Sequence, residues 1–378
     1  MLDTIIRNGH VLDIKNDIDQ VMDIGIKGRA IAAAGNLSEY QCAQSIDASG
    51  CYVVPGLIDF HAHAFYGISD FSMPAELALI PHGVTAMVDA GSAGTSNFEG
   101  FYRDVVCRSI LTMKSFIHIT SLGQMTHRFN ENCNPDLFDV DRMRELCHKY
   151  RDNIIGIKLR QGKDIVGGYG LKCLEKTIKV AEEVGLRISV HATDSPGETA
   201  DTLGMLRPGD IYCHVFHEKG KTVLGNDEKV LPAVWEARKR GILFELGHGS
   251  RNFSIKVARQ AIGEGFYPDI VSSDLSLLSM NRFPAYSFTH IMTELLNLGM
   301  GFPEIIRRCT VVPAKLMKEP QMGGLGIDAP ADIAIFRIED RNVEMKDSYG
   351  NTAYGLQMIK PELTVKEGVI LHRQYDFI

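Results

Sequence analysis

The sequence predicts an α/β fold, a (β/α)8 TIM-like barrel with a small β-rich domain built from both chain ends, and three observations carry that prediction. With 378 residues, the chain is too long for one small module and fits a large barrel or two ordinary domains. Through its middle, apolar β-type runs alternate with helical patterns, the signature of parallel strands joined by crossover helices. Both ends instead carry short β-type runs separated by turn signals. The expected division is 1–53 plus 318–378 for the β-rich domain and 54–317 for the barrel.

Taken in order, residues 4–6, 10–14, 21–26 and 29–35 give the β-type runs of the N-terminal part. The apolar run 52–60 reads as a buried strand that ends at His61-Ala62-His63. The barrel strands are expected at 57–63, 84–89, 115–120, 154–158, 187–191, 210–214, 242–246 and 269–274, with helices at 139–150, 171–184, 229–240 and 254–262 among the connections. Eight such strand and helix pairs suit a closed barrel better than a doubly wound sheet. After residue 318 the β-type runs return at 331–338 and 363–371, so the two ends are expected to build one small domain. No internal repeat or low-complexity segment interrupts this order.

Composition narrows the function classes. Hydrophobic residues make up 45% and charged residues 23%, which fits a globular chain and excludes disordered and fibrous classes. The net charge of −7 comes without any lysine and arginine stripe, so nucleic acid is not an expected partner. No run of about eighteen apolar residues occurs, and the first ten residues lack a basic segment followed by an apolar one. A cytoplasmic protein without a membrane partner is the expectation. The eight cysteines are scattered with no CxxC pair, which fits a reducing compartment and argues against a thiolate zinc site.

His61-Ala62-His63 is the most informative motif. In an extended chain, side chains i and i+2 point the same way, so His61 and His63 can converge on one ion. Neutral imidazoles suit zinc or a similar divalent metal. Two histidines this close also occur on plain surfaces, so context decides. That context is supplied by Lys158, His191, His214 and Asp274, each of which stands where an apolar run stops. In a barrel those strand ends share one face, and that face carries the active site.

Pro55-Gly56-Leu57-Ile58-Asp59-Phe60-His61-Ala62-His63, followed by a strand-terminal lysine, two strand-terminal histidines and a strand-terminal aspartate, resembles the binuclear branch of the amidohydrolase superfamily. Gly326-Ile327-Asp328-Ala329-Pro330-Ala331-Asp332-Ile333-Ala334 resembles that superfamily's C-terminal return strand, so the likeness spans nearly the whole chain. The resemblance implies that His61, His63 and Asp274 hold one divalent ion and that His191 and His214 hold a second. Lys158 would bridge the two as a carbamate derived from carbon dioxide. An ammonium cannot ligate a cation, whereas a carbamate offers two carboxylate-like oxygens; an unmodified Lys158 beside a single metal is the alternative. Zinc is the default ion, and manganese, iron or cobalt fit the same donors. Two ions sharing one water leave hydroxide near neutral pH and polarise a carbonyl. On this resemblance Asp274 would be the catalytic group that takes the proton and passes it to the leaving group.

Arg160 lies two positions after Lys158, so alternation aims it at the same mouth, where a guanidinium suits a substrate carboxylate. Its plain reading is a surface or salt-bridged arginine. Arg282 and His248, the latter between Gly247 and Gly249, are further candidates for substrate contact. Cys213 is expected to point away by alternation. His10, His82, His118, His127, His148, His217, His290 and His372 take ordinary structural readings.

Within the superfamily the chain most resembles the dihydroorotase-like group, which includes amidohydrolase/deacetylase metallohydrolases. Some of these remove acetyl groups from small α-acyloxy carboxylates. The implied function is hydrolysis of an acyl ester or amide in a small carboxylate-bearing molecule. Cyclic-amide hydrolysis, as in dihydroorotases and hydantoinases, is the main alternative. An adenine deaminase is disfavoured because His191 is followed by Ala192-Thr193-Asp194 instead of an HxxE pattern. A non-catalytic binding relative is disfavoured because all six ligand positions are filled. A homo-oligomer is expected only from how often enzymes assemble symmetrically.

Overall fold

The computed structural model describes residues 1–377. At the N-terminal end, β1 (Leu2–Asp13) pairs antiparallel with β2 (Ile18–Lys27), and β2 with β3 (Ala30–Gly35). β4 (Cys42–Asp47) and β5 (Tyr52–Pro55) run parallel to β1. Their β-branched residues suit a pleated, half-buried surface, and Ile6, Ile24, Ile26, Ile31, Ile46 and Val53 pack into one small core.

The apolar run 52–60 does not form a single strand. Pro55, which has no N–H, ends β5; the Gly56 N–H then donates to Asp332 O (2.8 Å) and the Leu57 N–H to Gly83 O (2.9 Å). One run thus serves two sheets. A Cβ on Gly56 would stand 2.6 Å from Thr85 Cγ2, so the crossing depends on glycine.

The second sheet is parallel and follows chain order: β6 (Leu57–Ala62), β7 (Val84–Ala90), β8 (Thr112–His118), β9 (Ile154–Arg160), β10 (Arg187–His191), β11 (Ile211–Cys213) and β12 (Leu243–Glu245). Helices Val140–Lys149, Lys172–Glu183, Pro232–Lys239 and Ile255–Gly263 lie among the connections. Asp139 and Ser254 cap two of them by accepting from the Arg142 and Val257 N–H groups. The helix expected from residue 229 starts at Pro232, because Leu231 N–H still bonds Val223 O (2.9 Å).

Residues 269–274 do not form the regular strand that their pattern suggests. They lie between the two edges of the parallel sheet, with Ile270 bridged to Glu245 and Leu275 to Ala62, both in parallel sense. Asp274 N–H donates to His61 O (2.7 Å). The buried Asp59 carboxylate accepts from the Ser273 N–H (3.0 Å), the His61 N–H (3.3 Å) and the Ser273 hydroxyl. A side chain therefore makes bonds that a strand ladder would otherwise make, and the sheet is curled until its edges meet on this segment. Ile58, Phe60, Val88, Phe116, Ile211 and Cys213 fill its inner side, while Met87, Ile117, Ile157, Leu159 and Val190 face the helices.

At the C-terminal end, β13 (Ile333–Lys346) pairs antiparallel with β5 and with β14 (Thr352–Lys366), and β14 with β15 (Val369–Arg373). The two chain ends thus share one eight-stranded sheet. The run 363–371 is broken by a turn at Glu367-Gly368, both at positive φ. The turn between β13 and β14 reaches the other sheet's rim: Asp347 Oδ2 accepts from the Ile255 N–H (2.9 Å), and Tyr349 Oη donates to Arg251 O (3.1 Å).

The Gly56 crossing is testable. Gly56→Ala should destabilise the chain by about 1–3 kcal/mol through overpacking, and Thr85→Ala in the same chain should recover part of the loss. Thermal unfolding of the single and double variants measures this; an unchanged melting temperature in Gly56→Ala would show that the crossing has room for a methyl group.

Candidate metal centre

The C-terminal ends of the parallel strands bring six predicted side chains to one cleft. His61 lies in β6 and His63 just beyond it, Lys158 lies in β9, His191 ends β10, His214 follows β11, and Asp274 comes from the segment between the sheet edges. His61, Lys158 and His214 are each 1% exposed. His61 faces inward although Phe60 does too, and the β6–β7 register shifts between Asp59 and Ala62. A bulge of this kind re-aims a side chain at a strand end.

Asp274 Oδ1 lies 3.2 Å from His63 Nε2 and 3.4 Å from His61 Nε2. Donor atoms of these three residues all fall within 4.8 Å of one another. The rings of His191 and His214 have centroids 4.4 Å apart, and His214 lies 5.3 Å from His61. Burial, with the Lys158 charge adding to it, lowers His61; burial and the neighbouring His214 hold His191 well below the ordinary histidine value; and His214 is pushed down to about 3, chiefly by burial. Neutral imidazoles are the form that binds a metal. Burial opposes the Asp274 charge, but His61 and His63 outweigh it and keep the carboxyl far below the usual range.

Each of three imidazoles is anchored through Nδ1, which leaves Nε2 for the centre. His61 Nδ1 meets Glu245 Oε1 (3.1 Å), His63 Nδ1 meets Ser92 Oγ (3.0 Å), and His214 Nδ1 meets Gly247 O (2.6 Å). Ser92 in turn donates to Asp89 Oδ2 (2.8 Å). Such outer partners fix ring tautomer and orientation at metal sites. Lys158 Nζ is buried with no hydrogen-bond partner among the described residues, which is costly for an ammonium and fits a lysine whose end is modified or faces metal. Its stem packs against Gly91, at φ +90, where a Cβ would come within 2.7 Å of Lys158 Cβ. The donor set and the orphaned Nζ together fit divalent metal.

Arg160 lines the cleft, but its Nη1 donates to Glu131 Oε1 (2.9 Å) and Oε2 (3.1 Å). His248 is buried and lies off the cleft lining. Its backbone is turned by positive φ at Gly247 and Gly249, its Nε2 lies 2.8 Å from Glu294 Oε2, and its ring stacks on Phe253 with centroids 4.1 Å apart. Arg282 is exposed, off the cleft lining, in a tight turn where the Tyr286 N–H bonds Arg282 O (2.9 Å). Cys213 faces inward, not away, with Sγ 3.2 Å from His61 Nδ1. His214 has φ +67, and this left-handed residue breaks the alternation so that Cys213 and His214 both face the interior. Burial, reinforced by the Glu245 charge, pushes the Cys213 thiol well above its ordinary value, so it is a neutral thiol on the side of His61 turned to Glu245.

Pattern reading missed Asp89, Ser92, Glu245, Gln124, His127 and Asn252. Asn252 Nδ2 donates to Asp274 Oδ2 (3.0 Å), and Thr193 Oγ1 donates to Asn252 Oδ1 (2.9 Å). Gln124 and His127 line the cleft from the loop after β8. Their place in a loop following a parallel strand was the available signal, since such loops build the active face.

Comparison with known proteins gives the family. The amidohydrolase family profile matches residues 52–207. A deacetylase of Agrobacterium fabrum is 31% identical over 343 residues, covering 90% of this chain and 84% of the relative. A solved structure of a dihydroorotase superposes with a TM-score of 0.90 at 29% identity, covering 99% of this chain and 98% of its own. One of an adenine deaminase superposes with a TM-score of 0.90 at 27% identity, covering 99% and 100%. By a match of this identity and extent, over a fold that carries the metal-donor cluster at its strand ends, the chain belongs to the amidohydrolase family.

Proposed function

We propose that the chain is a metal-dependent deacetylase that hydrolyses an acyl ester or amide in a small carboxylate-bearing molecule such as an α-acyloxy acid. The convergence of His61, His63 and Asp274 donor atoms on one point, beside His191, His214 and the unpaired Lys158 Nζ, carries the reading. In this reading the curled sheet and the segment 270–275 form a (β/α)8 barrel over 54–317, with 1–53 and 318–378 as the second domain. The six residues would hold two ions, zinc by default, with Lys158 carboxylated. When bound, such ions supply hydroxide near neutral pH and polarise a carbonyl.

The chain's own groups do the rest. Asp274 stays ionised among imidazoles and can take a proton at Oδ2, then deliver it to the departing oxygen or nitrogen. Asn252, itself held by Thr193, fixes the carboxylate plane through Oδ2. Glu245 and Ser92 keep the imidazoles in their tautomers. The relative named a deacetylase supports acyl hydrolysis; the dihydroorotase likeness supports ring opening by the same groups as the alternative. A deaminase reading has less support, because Asp194, three positions after His191, pairs with Lys163 (3.3 Å) and Lys219 (3.2 Å). All eight cysteines are free, which supports a cytoplasmic setting.

Proton release by metal-loaded protein, measured against O-acetyl hydroxy acids, N-acetyl amino acids and cyclic amides, tests the assignment. Open-chain acyl compounds should be cleaved best, and a preference for rings would move the protein to the dihydroorotase side. Asp274→Asn should lower kcat by about 10²–10⁴, whereas Asn252→Ala should lower it by about 10-fold to 100-fold with KM little changed; near-normal turnover in Asp274→Asn would remove its role. Chelation should abolish turnover, and elemental analysis of Lys158→Ala should show loss of bound metal. Full metal content in that variant would contradict a bridging Lys158.

A further inference from the structure

The substrate's carboxylate needs a cation in the cleft, and among the described residues that line it one is left without an acidic partner or a place among the metal donors. Lys158 lies among the metal donors. His127 is pushed down to about 4, chiefly by burial, with the charges of Arg160 and His63 adding to it, so it is neutral near pH 7. Arg160 is bound by both oxygens of Glu131, and its side chain and that of Glu131 are only 15% and 4% exposed. Drawing it away would leave a carboxylate buried without its partner, a costly state.

Arg251 differs. It lines the same cleft and is exposed. Its backbone carbonyl is pinned by Tyr349 Oη at 3.1 Å, while its guanidinium has no carboxylate partner among the described residues. Gln124 also lines the cleft; it is 5% exposed, and its Oε1 has no hydrogen-bond partner among the described residues. A buried primary amide left unpaired is costly, and turned by 180° the group presents NH2 from the same place. An unpaired guanidinium and an unpaired amide in one cleft suit a small anion.

We propose that Arg251, assisted by the Gln124 amide, recognises the substrate's carboxylate, and that Arg160 supports the cleft wall through Glu131 without touching substrate. This assignment rests on the hydrolase reading above and specifies its substrate class as anionic.

The test compares kcat/KM for an O-acetyl 2-hydroxy acid and its carboxamide in metal-loaded wild type, Arg251→Met, Arg251→Lys and Arg160→Met. Arg251→Met should lower the carboxylate-to-carboxamide ratio about 10-fold to 100-fold, mainly through KM, as expected for loss of a charge-assisted contact. Arg251→Lys should restore part of it, and Arg160→Met should leave the ratio within fivefold of wild type. A ratio in Arg251→Met within fivefold of wild type, or a larger fall in Arg160→Met, overturns the proposal. Should wild type cleave neither compound, the deacetylase reading fails and the subsite is read separately by calorimetric titration with lactate. Binding at least fivefold weaker in Arg251→Met supports the subsite; a smaller difference, or no binding to wild type, overturns it.

Discussion

The arrangement of the cleft depends on one buried carboxylate. Asp59 gathers the His61 N–H, the Ser273 N–H and the Ser273 hydroxyl, and so joins the first parallel strand to the segment that precedes Asp274. That junction reinforces the backbone bonds that set Asp274 opposite His61 and His63, Asp274 N–H to His61 O (2.7 Å) and His63 N–H to Leu275 O (3.1 Å), since residues 269–274 otherwise meet the sheet edges through isolated bridges. Burial pushes the Asp59 carboxyl up to about 7 against the pull of its hydrogen bonds to Ser273 and His61. The closure is therefore made by a group whose charge the dry interior opposes and three donors, two from Ser273 and one from His61, partly offset.

Above this junction the problem is to keep several polar groups buried without letting them pair with one another in the wrong way. Three of the four imidazoles, those of His61, His63 and His214, are committed at Nδ1 to Glu245, Ser92 and Gly247, which leaves Nε2 for the centre. Glu245 is further held by the Ser272 hydroxyl (2.8 Å), and below it the inner sheet surface is apolar. Fixed rings over an apolar floor have little freedom to reorganise when charge develops above them, which is what electrostatic preorganisation requires.

The donor set was legible in the sequence because each member closes an apolar strand pattern, and strand ends in a parallel sheet share one face. The split at Gly56 was hidden because Pro55-Gly56 interrupts nothing in hydropathy. What distinguishes the two halves is where their backbone groups find partners, Asp332 on one side and Gly83 on the other. Residues 269–274 looked like a strand for the same reason, although Asp59 replaces part of its ladder. Side-chain direction was least legible. His248 turns to Glu294 and Cys213 turns inward because Gly247, Gly249 and His214 take positive φ, and a non-glycine in that region is dictated by its surroundings. The roles of Asn252, Ser92 and Glu245 are fixed by contacts between loops far apart in sequence, which periodicity does not encode.

The turn between β13 and β14 has a separate importance. Through Asp347 and Tyr349 it clasps the Ile255 N–H and the Arg251 carbonyl, so the far sheet acts as a rivet on the rim of the cleft. Residues 251–255 are consequently not a freely variable loop. A change there that alters which molecules enter must also preserve a fit to a hairpin almost one hundred positions downstream, and drift in either segment constrains the other. Diversification of the mouth and of the C-terminal hairpin should then proceed as correlated steps, with the small sheet setting which specificities the larger one can reach.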